Sequence, residues 1–465
     1  MHATDGHEHE TPLTPVYGFN SPSAPITLHE GPVAKGSSQD RVGKVELKFA
    51  PKPSLNWSVN PEDADHSDFS KDAVELRFDG RNGQVSADAH LTDLSSGWIG
   101  EVEIGQEAAH LKRALVHWLN LPNVLGNHVL EESGEFGTTW WRGRLRAEIA
   151  DWALVLDARR DYKAATENSK DDNLYVLTHV MEVRRADGGV FSVSAVKELI
   201  ECMRVCLSFG FGRWVAPALP VGFDGSDQVV WEHWASPICD PFASVGSGWL
   251  YKGSSSDLIS LIAQGMSAFS DASRPGITRF QMCLAVQAVS SGFLEQRVLA
   301  AAPALEHLAW SNLVLGQKMT PDEYRDCYAE DRLRYLLQEA GIPVQIDSSL
   351  LPGLASFARS RNIDGPTAVT RVRNNLVHPQ NPHEQIYRHD GLMLDTWFLS
   401  LHYVRLLILR SIGYVGSYTK LHKRGWVGDT EPVPWAASGS TRTVPSLPMT
   451  RSAIRRSRRN PRRRP

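Results

Sequence analysis

Apolar and polar residues alternate along much of the first half of the chain, and the spacing then changes to a helical one. Val45-x-Leu47-x-Phe49 and Val74-x-Leu76-x-Phe78 repeat every second position, which puts the apolar side chains of an extended segment on one face. The second run leads into Asp79-Gly80-Arg81-Asn82-Gly83, whose residue types favour a tight turn. Further strand-like runs cover Leu145 to Leu156 and Leu174 to Val183, and Ala186-Asp187-Gly188-Gly189 turns the second back into Val190 to Val193. Ser194 is placed to cap a helix whose Val196, Leu199, Ile200, Met203 and Leu207 share one side. Trp214 to Val221 and Gln228 to Trp234 return to strand character.

Beyond Ser270 to Gly276 the period is helical. Asp257 to Phe269 predicts a connecting helix, followed by helices over Arg279 to Val289 and Phe293 to Leu315, the latter interrupted or restarted at Pro303. Pro321 opens another with Asp322 and Glu323 in its first turn, and Gly341 closes it. A short helix near Ser349 to Arg359, one begun by Asp364-Gly365-Pro366 and a last over Leu392 to Ile412 complete the set. The fold class expected is α+β: a mostly antiparallel β-sandwich or barrel followed by a helical bundle. The expected divisions are a disordered lead at 1–40, a β-rich sensor domain at 41–250, a linker helix and loop at 251–277, the bundle at 278–413 and a flexible tail at 414–465.

Composition narrows the function classes. The net charge of -4 conceals an asymmetry, because Arg451, Arg455, Arg456, Arg458, Arg459, Arg462, Arg463 and Arg464 all fall in the last fifteen positions, which hold no acid. Removing those eight charges leaves the rest at -12. A body of that sign argues against a broad polyanion-binding surface, so nucleic-acid contact is expected only at the tail or in a pocket. For the tail, a bland solvated end and an RNA-binding arm both remain open. Five cysteines suit reduced thiols better than a disulfide frame, and Cys202 and Cys206, one helical turn apart, are expected to be buried packing and not a metal pair. Asp395, Arg405 and Arg410 break the apolar run at 392–412, which therefore reads as a core helix. The expected location is cytoplasmic, with no membrane association, no cofactor and no metal.

The chemistry that stands out is Arg371-Val372-Arg373-Asn374-Asn375-Leu376-Val377-His378. Arginine offers a permanent fork of donors to phosphate oxygens, and histidine, with a free pKa of about 6.5, exchanges a proton near neutral pH. Val369, Val372 and Leu376 mark the face that packs. At 100° per residue Arg371, Asn374 and His378 share another side, whereas Arg373 lies about 140° from His378. Pro379 disfavours helical geometry at His378 and so puts it at the helix end. From spacing alone, a solvated helix flank and a capping histidine explain the same residues.

Arg373-Asn374-x-x-x-His378, in the penultimate long helix of a C-terminal bundle, resembles the signature of the HEPN family: arginine, four to six residues, then histidine, with a polar residue commonly after the arginine. Arg371 fits the longer spacing but is followed by Val372. The segment Arg297 to Leu308, with Ala304-Leu305-Glu306, is similar to the early helix of the ApeA-like HEPN group, in which a β-rich domain precedes the bundle. The resemblance covers roughly residues 278 to 413. It implies a metal-independent endoribonuclease, of anti-phage or toxin type, whose site forms where two bundles pair as a homodimer. It implies that His378 moves the proton, Arg373 holds the phosphate and Asn374 orients them, with Arg371 as the secondary candidate. RNA is the implied partner, cut at a site regulated by an unknown trigger ligand or phage protein at the β domain. The alternative is a non-catalytic HEPN-like module for dimerisation or nucleotide binding beside a ligand-recognising β domain. Trp140-Trp141 and Trp231-x-x-Trp234 are read as core tryptophans, and Gly210-Phe211-Gly212 as a turn.

Overall fold

The computed structural model describes residues 9–35, 41–60, 73–81, 83–134, 137–171, 173–242, 248–290, 292–379, 386–420, 426, 428–436 and 445–452. The chain divides into two compact units. The first runs to Leu207 and adds Trp214–Gly246 and Lys252–Ser255; the second takes Ser208–Arg213, Ser247–Tyr251 and everything from Ser256. A β-rich first unit is followed by a helical second one, as the change of period requires.

The first unit begins with a closed barrel. Strands β1 (Ile26–Lys35), β2 (Arg41–Lys48), β3 (Ser54–Val59), β4 (Ala73–Gly80), β5 (Gly83–Leu91) and β6 (Ser96–Ile99) close in the order β1-β2-β3-β6-β5-β4, every pair antiparallel. The alternation seen in the sequence is the inside-outside pattern of this wall: Val45, Leu47, Leu55, Trp57, Leu76 and Phe78 are all buried. At Gly97 a Cβ would lie 1.8 Å from the His90 carbonyl oxygen, so β6 can approach β5 only with glycine there.

After β7 (Glu101–Gly105) and β8 (His110–Leu111), an eight-stranded antiparallel sheet is built from β9 (Arg113–Leu119), β10 (His128–Gly134), β11 (Gly137–Ile149), β12 (Trp152–Ala158), β13 (Leu177–Arg185), β15 (Ala216–Phe223) and β16 (Val229–Ala235), with β7 at its edge. Helix α1 (Tyr162–Asp171) precedes β13, and β14 (Phe191–Ser192) pairs with β8 before α2 (Val193–Phe211). Leu145 to Leu156 is a hairpin and not one strand, because Ala150 takes a φ of 50° and reverses the chain. Ser192, not Ser194, caps α2, its Oγ accepting from the Ala195 N–H at 3.2 Å.

The expectation of a disordered lead over 1–40 is corrected. Ile26–Lys35 is a barrel strand, and Tyr17 and Asn20 are buried. The segment before it is held by charge: Arg144 forms a two-pronged pair with Asp157 at 2.6 and 2.7 Å, Glu10 also pairs with Arg144, and Asp157 accepts the Leu13 N–H at 2.7 Å. Low apolar content hid the contacts of Glu10 and Leu13, whose partners Arg144 and Asp157 lie more than a hundred positions away.

The second unit contains α3 (Ser255–Phe269), α4 (Ile277–Ser290), α5 (Leu294–Trp310), a π-helical turn at Ser311–Leu315, α6 (Pro321–Asp326), α7 (Ala329–Ala340), α8 (Pro352–Arg359), α9 (Gly365–Val377) and α10 (Leu392–Ser411). The linker expected at 251–277 is corrected, since α3 buries Leu258, Leu261 and Ile262 within this unit. α5 packs along α4 and α10, and α9 is held by α5, α7, α8 and α10. By composition Leu294–Leu315 and Leu392–Ser411 are long and apolar enough to cross a bilayer, but 78% of the latter's apolar window is buried by protein, the pattern of a core helix. The flexible tail expected from 414 is corrected in part. Tyr414, Val433 and Trp435 are buried, the Trp435 indole donates to the Tyr414 carbonyl at 2.6 Å, and β17 (Ser417–Tyr418) pairs with β18 (Glu431–Pro432).

Candidate active site on helix α9

The first turn of α9 is fixed by charge and by close packing. Asp364 caps it, accepting from the Thr367 N–H at 3.1 Å and the Thr367 hydroxyl at 2.6 Å. Arg334 of α7 clamps the same carboxylate at 2.6 and 3.1 Å and reaches the Thr367 hydroxyl at 2.9 Å. Burial alone would raise the Asp364 pKa, but Arg334 and the Thr367 donors outweigh it and hold it below the usual carboxylate value. A Cβ on Gly365 would meet the Tyr403 hydroxyl at 2.4 Å and the Val344 carbonyl at 2.9 Å, so the helix starts against α10 only because that residue is glycine.

The packing stripe is as expected for two turns and then lapses. Ala368, Val369 and Val372 are buried, Leu376 is half-buried and Val377 is exposed. His378 ends the helix with φ -134° and ψ 71°, its N–H donating to the Asn374 carbonyl at 2.7 Å, which is the non-helical geometry Pro379 favours. The imidazole is exposed and forms no hydrogen bond among the described residues.

The candidate residues separate by side. Arg371, Asn374 and His378 are all exposed. Arg373 is half-buried; its Nη1 donates to Asn374 Oδ1 at 3.0 Å, and it lines a small cavity of about 40 Å³ together with Glu306, Leu333, Thr370 and Ser400. Within one chain, therefore, Asn374 stands between the two, bonded to Arg373 by its side chain and to His378 by its backbone. Glu306 is already engaged: Arg332 lies 3.2 Å from its carboxylate, and Tyr324 donates to it at 3.2 Å. Sequence reading missed the platform of Arg334, Thr367 and Tyr403, since side chains thirty or more positions apart leave no spacing signal.

Near α6 and α7 the chain end returns. The Ser452 N–H donates to Asp326 at 2.9 Å, and the Arg451 guanidinium lies 4.5 Å from the centre of the Tyr328 ring. Arg455, Arg456, Arg458, Arg459, Arg462, Arg463 and Arg464 lie outside the described residues.

Rival sites fare less well. Cys202 and Cys206 are buried thiols with sulfurs 4.0 Å apart. Trp231 and Trp234 are core residues as read, but Trp140 is 56% exposed, its indole donating to Glu131. Gly210 and Phe211 finish α2, and only Gly212 turns the chain, at φ 63°. Among the described residues no group of three or more His, Cys, Asp or Glu could hold a metal ion.

Two family models match parts of the chain. Residues 106–245 match the YopA central domain, and residues 283–432 match the YopA C-terminal domain, which includes α9. The SPbeta prophage-derived uncharacterized protein YopA of Bacillus subtilis (strain 168) is 29% identical over 322 residues, covering 68% of this chain and 70% of the relative. No solved structure matches.

Proposed function

We propose that the protein is a metal-independent endoribonuclease of HEPN type, with a cytoplasmic site in which two copies of α9 face each other. The observation that carries this reading is an exposed histidine with no side-chain hydrogen bond among the described residues, at the end of a helix whose other end is clamped and one turn from an Arg-Asn pair. His378 takes the proton of a ribose 2′-hydroxyl, whose oxygen then attacks the phosphorus. The P–O5′ bond breaks, and His378 of the second copy returns a proton to O5′, so cyclic phosphate and a free 5′-hydroxyl result. Arg373 holds the phosphate oxygens as charge builds on them. DNA, lacking the 2′-hydroxyl, is not cut.

The prophage-derived origin in the relative's name accords with an effector used in conflict between phages, and the β-rich unit is then the place for a trigger ligand or a phage protein. A second reading, a non-catalytic HEPN-like module for dimerisation or nucleotide binding, draws support from Arg373, which lines a cavity and bonds its own neighbour. Incubation of the purified protein with total RNA, with and without EDTA and beside His378→Ala, separates them. The nuclease reading expects cutting that survives EDTA and is lost in the variant; cutting restored only by Mg²⁺ or Mn²⁺, or none at all, contradicts it. By light scattering the active species should be a dimer, and a fully active monomer would refute the paired site.

A further inference from the structure

The helical unit contains a second concavity, separate from the α9 residues and far larger, at about 650 Å³. That volume lies within the usual range for small-molecule sites, about 300 to 1,000 Å³. Its chemistry is not spread evenly. On one wall, Lys318 donates to Asn312 at 2.9 Å and to Glu339, and Asn312 donates to Glu339 at 3.1 Å, so these groups satisfy one another and the pair is neutral. Elsewhere on the lining stand Arg274, whose charge acts on Asp271, and Arg410, whose guanidinium lies 5.8 Å from the centre of the Trp435 ring; neither comes within salt-bridge distance of a carboxylate among the described residues. Asp271, ionised and held low by Ser273, is the remaining lining acid, and it leaves the pair of arginines with a net positive charge.

Deeper in, Gln281 is only 2% exposed and still lines the cleft. Its Nε2 is committed to Ser311 Oγ at 3.1 Å and His307 Nδ1 at 3.2 Å, and burial favours the neutral histidine that can accept there. Its Oε1 has no partner among the described residues. That oxygen is not fully buried, so it stays open to solvent in the cleft, where a donor from a ligand can take the place of water. The π-helical turn shapes the same wall: the Gly316 N–H reaches back to the Ser311 carbonyl at 3.1 Å, and both Ser311 and Asn312 line the cleft. Turns of this kind often mark functional sites.

We infer that this cleft binds a small phosphomonoester carrying hydroxyl groups, a sugar phosphate in class, with its phosphate on Arg274 and Arg410 and a hydroxyl donating to Gln281. Two arginines favour a dianion, because planar guanidinium forks match phosphate oxygens. The site is independent of RNA cleavage, and so is its test. Isothermal titration of the full chain with inorganic phosphate, ribose 5-phosphate and ribose should give binding of the first two only. R274Q/R410Q should weaken both about tenfold or more, a loss of about 1.4 kcal/mol, without lowering Tm. Gln281→Met should weaken ribose 5-phosphate more than inorganic phosphate. No binding of either phosphate at millimolar concentration, or equal binding by R274Q/R410Q, overturns the proposal. Displacement of bound phosphate by an RNA oligonucleotide but not by ribose 5-phosphate assigns the arginines to a nucleic-acid path and overturns it as well.

Discussion

The two ends of α9 are built on opposite plans. At the start, Asp364, Arg334 and Thr367 close a network of charged hydrogen bonds, and Gly365 presses against Tyr403 with no room for a methyl group. At the finish, His378 stands exposed after a turn whose apolar residues are already emerging. A side chain that must meet a substrate gains from freedom at its tip only if its helix is held still elsewhere. The clamped end supplies the second condition and the free end the first.

The largest effect should come from the free end. His378→Ala is expected to reduce RNA cleavage by about 10²- to 10⁴-fold with Tm unchanged, because no described contact depends on the imidazole. A fall in Tm of the same variant would show that the end is structural, and the contrast between the two ends would fail.

Arg373→Ala should lose about 10²- to 10³-fold, and Arg371→Ala should lose less. This pair is informative because Arg371, not Arg373, shares the exposed side with Asn374 and His378. A greater loss at Arg371 would move the phosphate contact to the exposed side and leave Arg373 as a lining residue of its cavity.

The clamped end should answer in stability. Gly365→Ala is expected to cost about 1 to 3 kcal/mol through overpacking, read from the midpoint of urea unfolding. Acid should act on the same place: Asp364 has a lowered folded pKa, so its contribution is present above the unfolded value of about 4 and is lost as pH falls through the folded value. Asp364→Asn should flatten the fall in stability below about pH 4. An unaltered acid profile would mean that the clamp does not depend on the charge.

The smallest effect belongs to the chain end. Removing residues 453–465 deletes seven arginines and should weaken RNA binding at low salt and flatten its salt dependence, while sparing turnover at saturating RNA. An unchanged salt slope would show a tail that is inert in RNA capture.

Legibility differed between regions for physical reasons. Alternation such as Val74-x-Leu76-x-Phe78 is dictated by the pleat, so the barrel wall could be read directly. The hairpin at Ala150 could not, because nothing in its residue types announces a positive φ. Pro303 sits inside α5 without ending it, and the π-helical turn at Ser311 has no sequence mark. In the site, Pro379 correctly fixed His378 at a helix end, and the wheel correctly set Arg373 apart from it. The clamp and the large cleft lined by Arg274, Gln281 and Arg410 were invisible, since each joins residues that meet only after the helices pack.

The most direct test of the central claim is the chemistry of the cut ends. RNA treated with the wild-type protein in EDTA should carry 2′,3′-cyclic phosphate and 5′-hydroxyl termini, and RNA treated with His378→Ala should remain whole. Ends bearing 3′-hydroxyl and 5′-phosphate, or equal cutting by the variant, would contradict attack by the ribose hydroxyl with His378 as its proton acceptor.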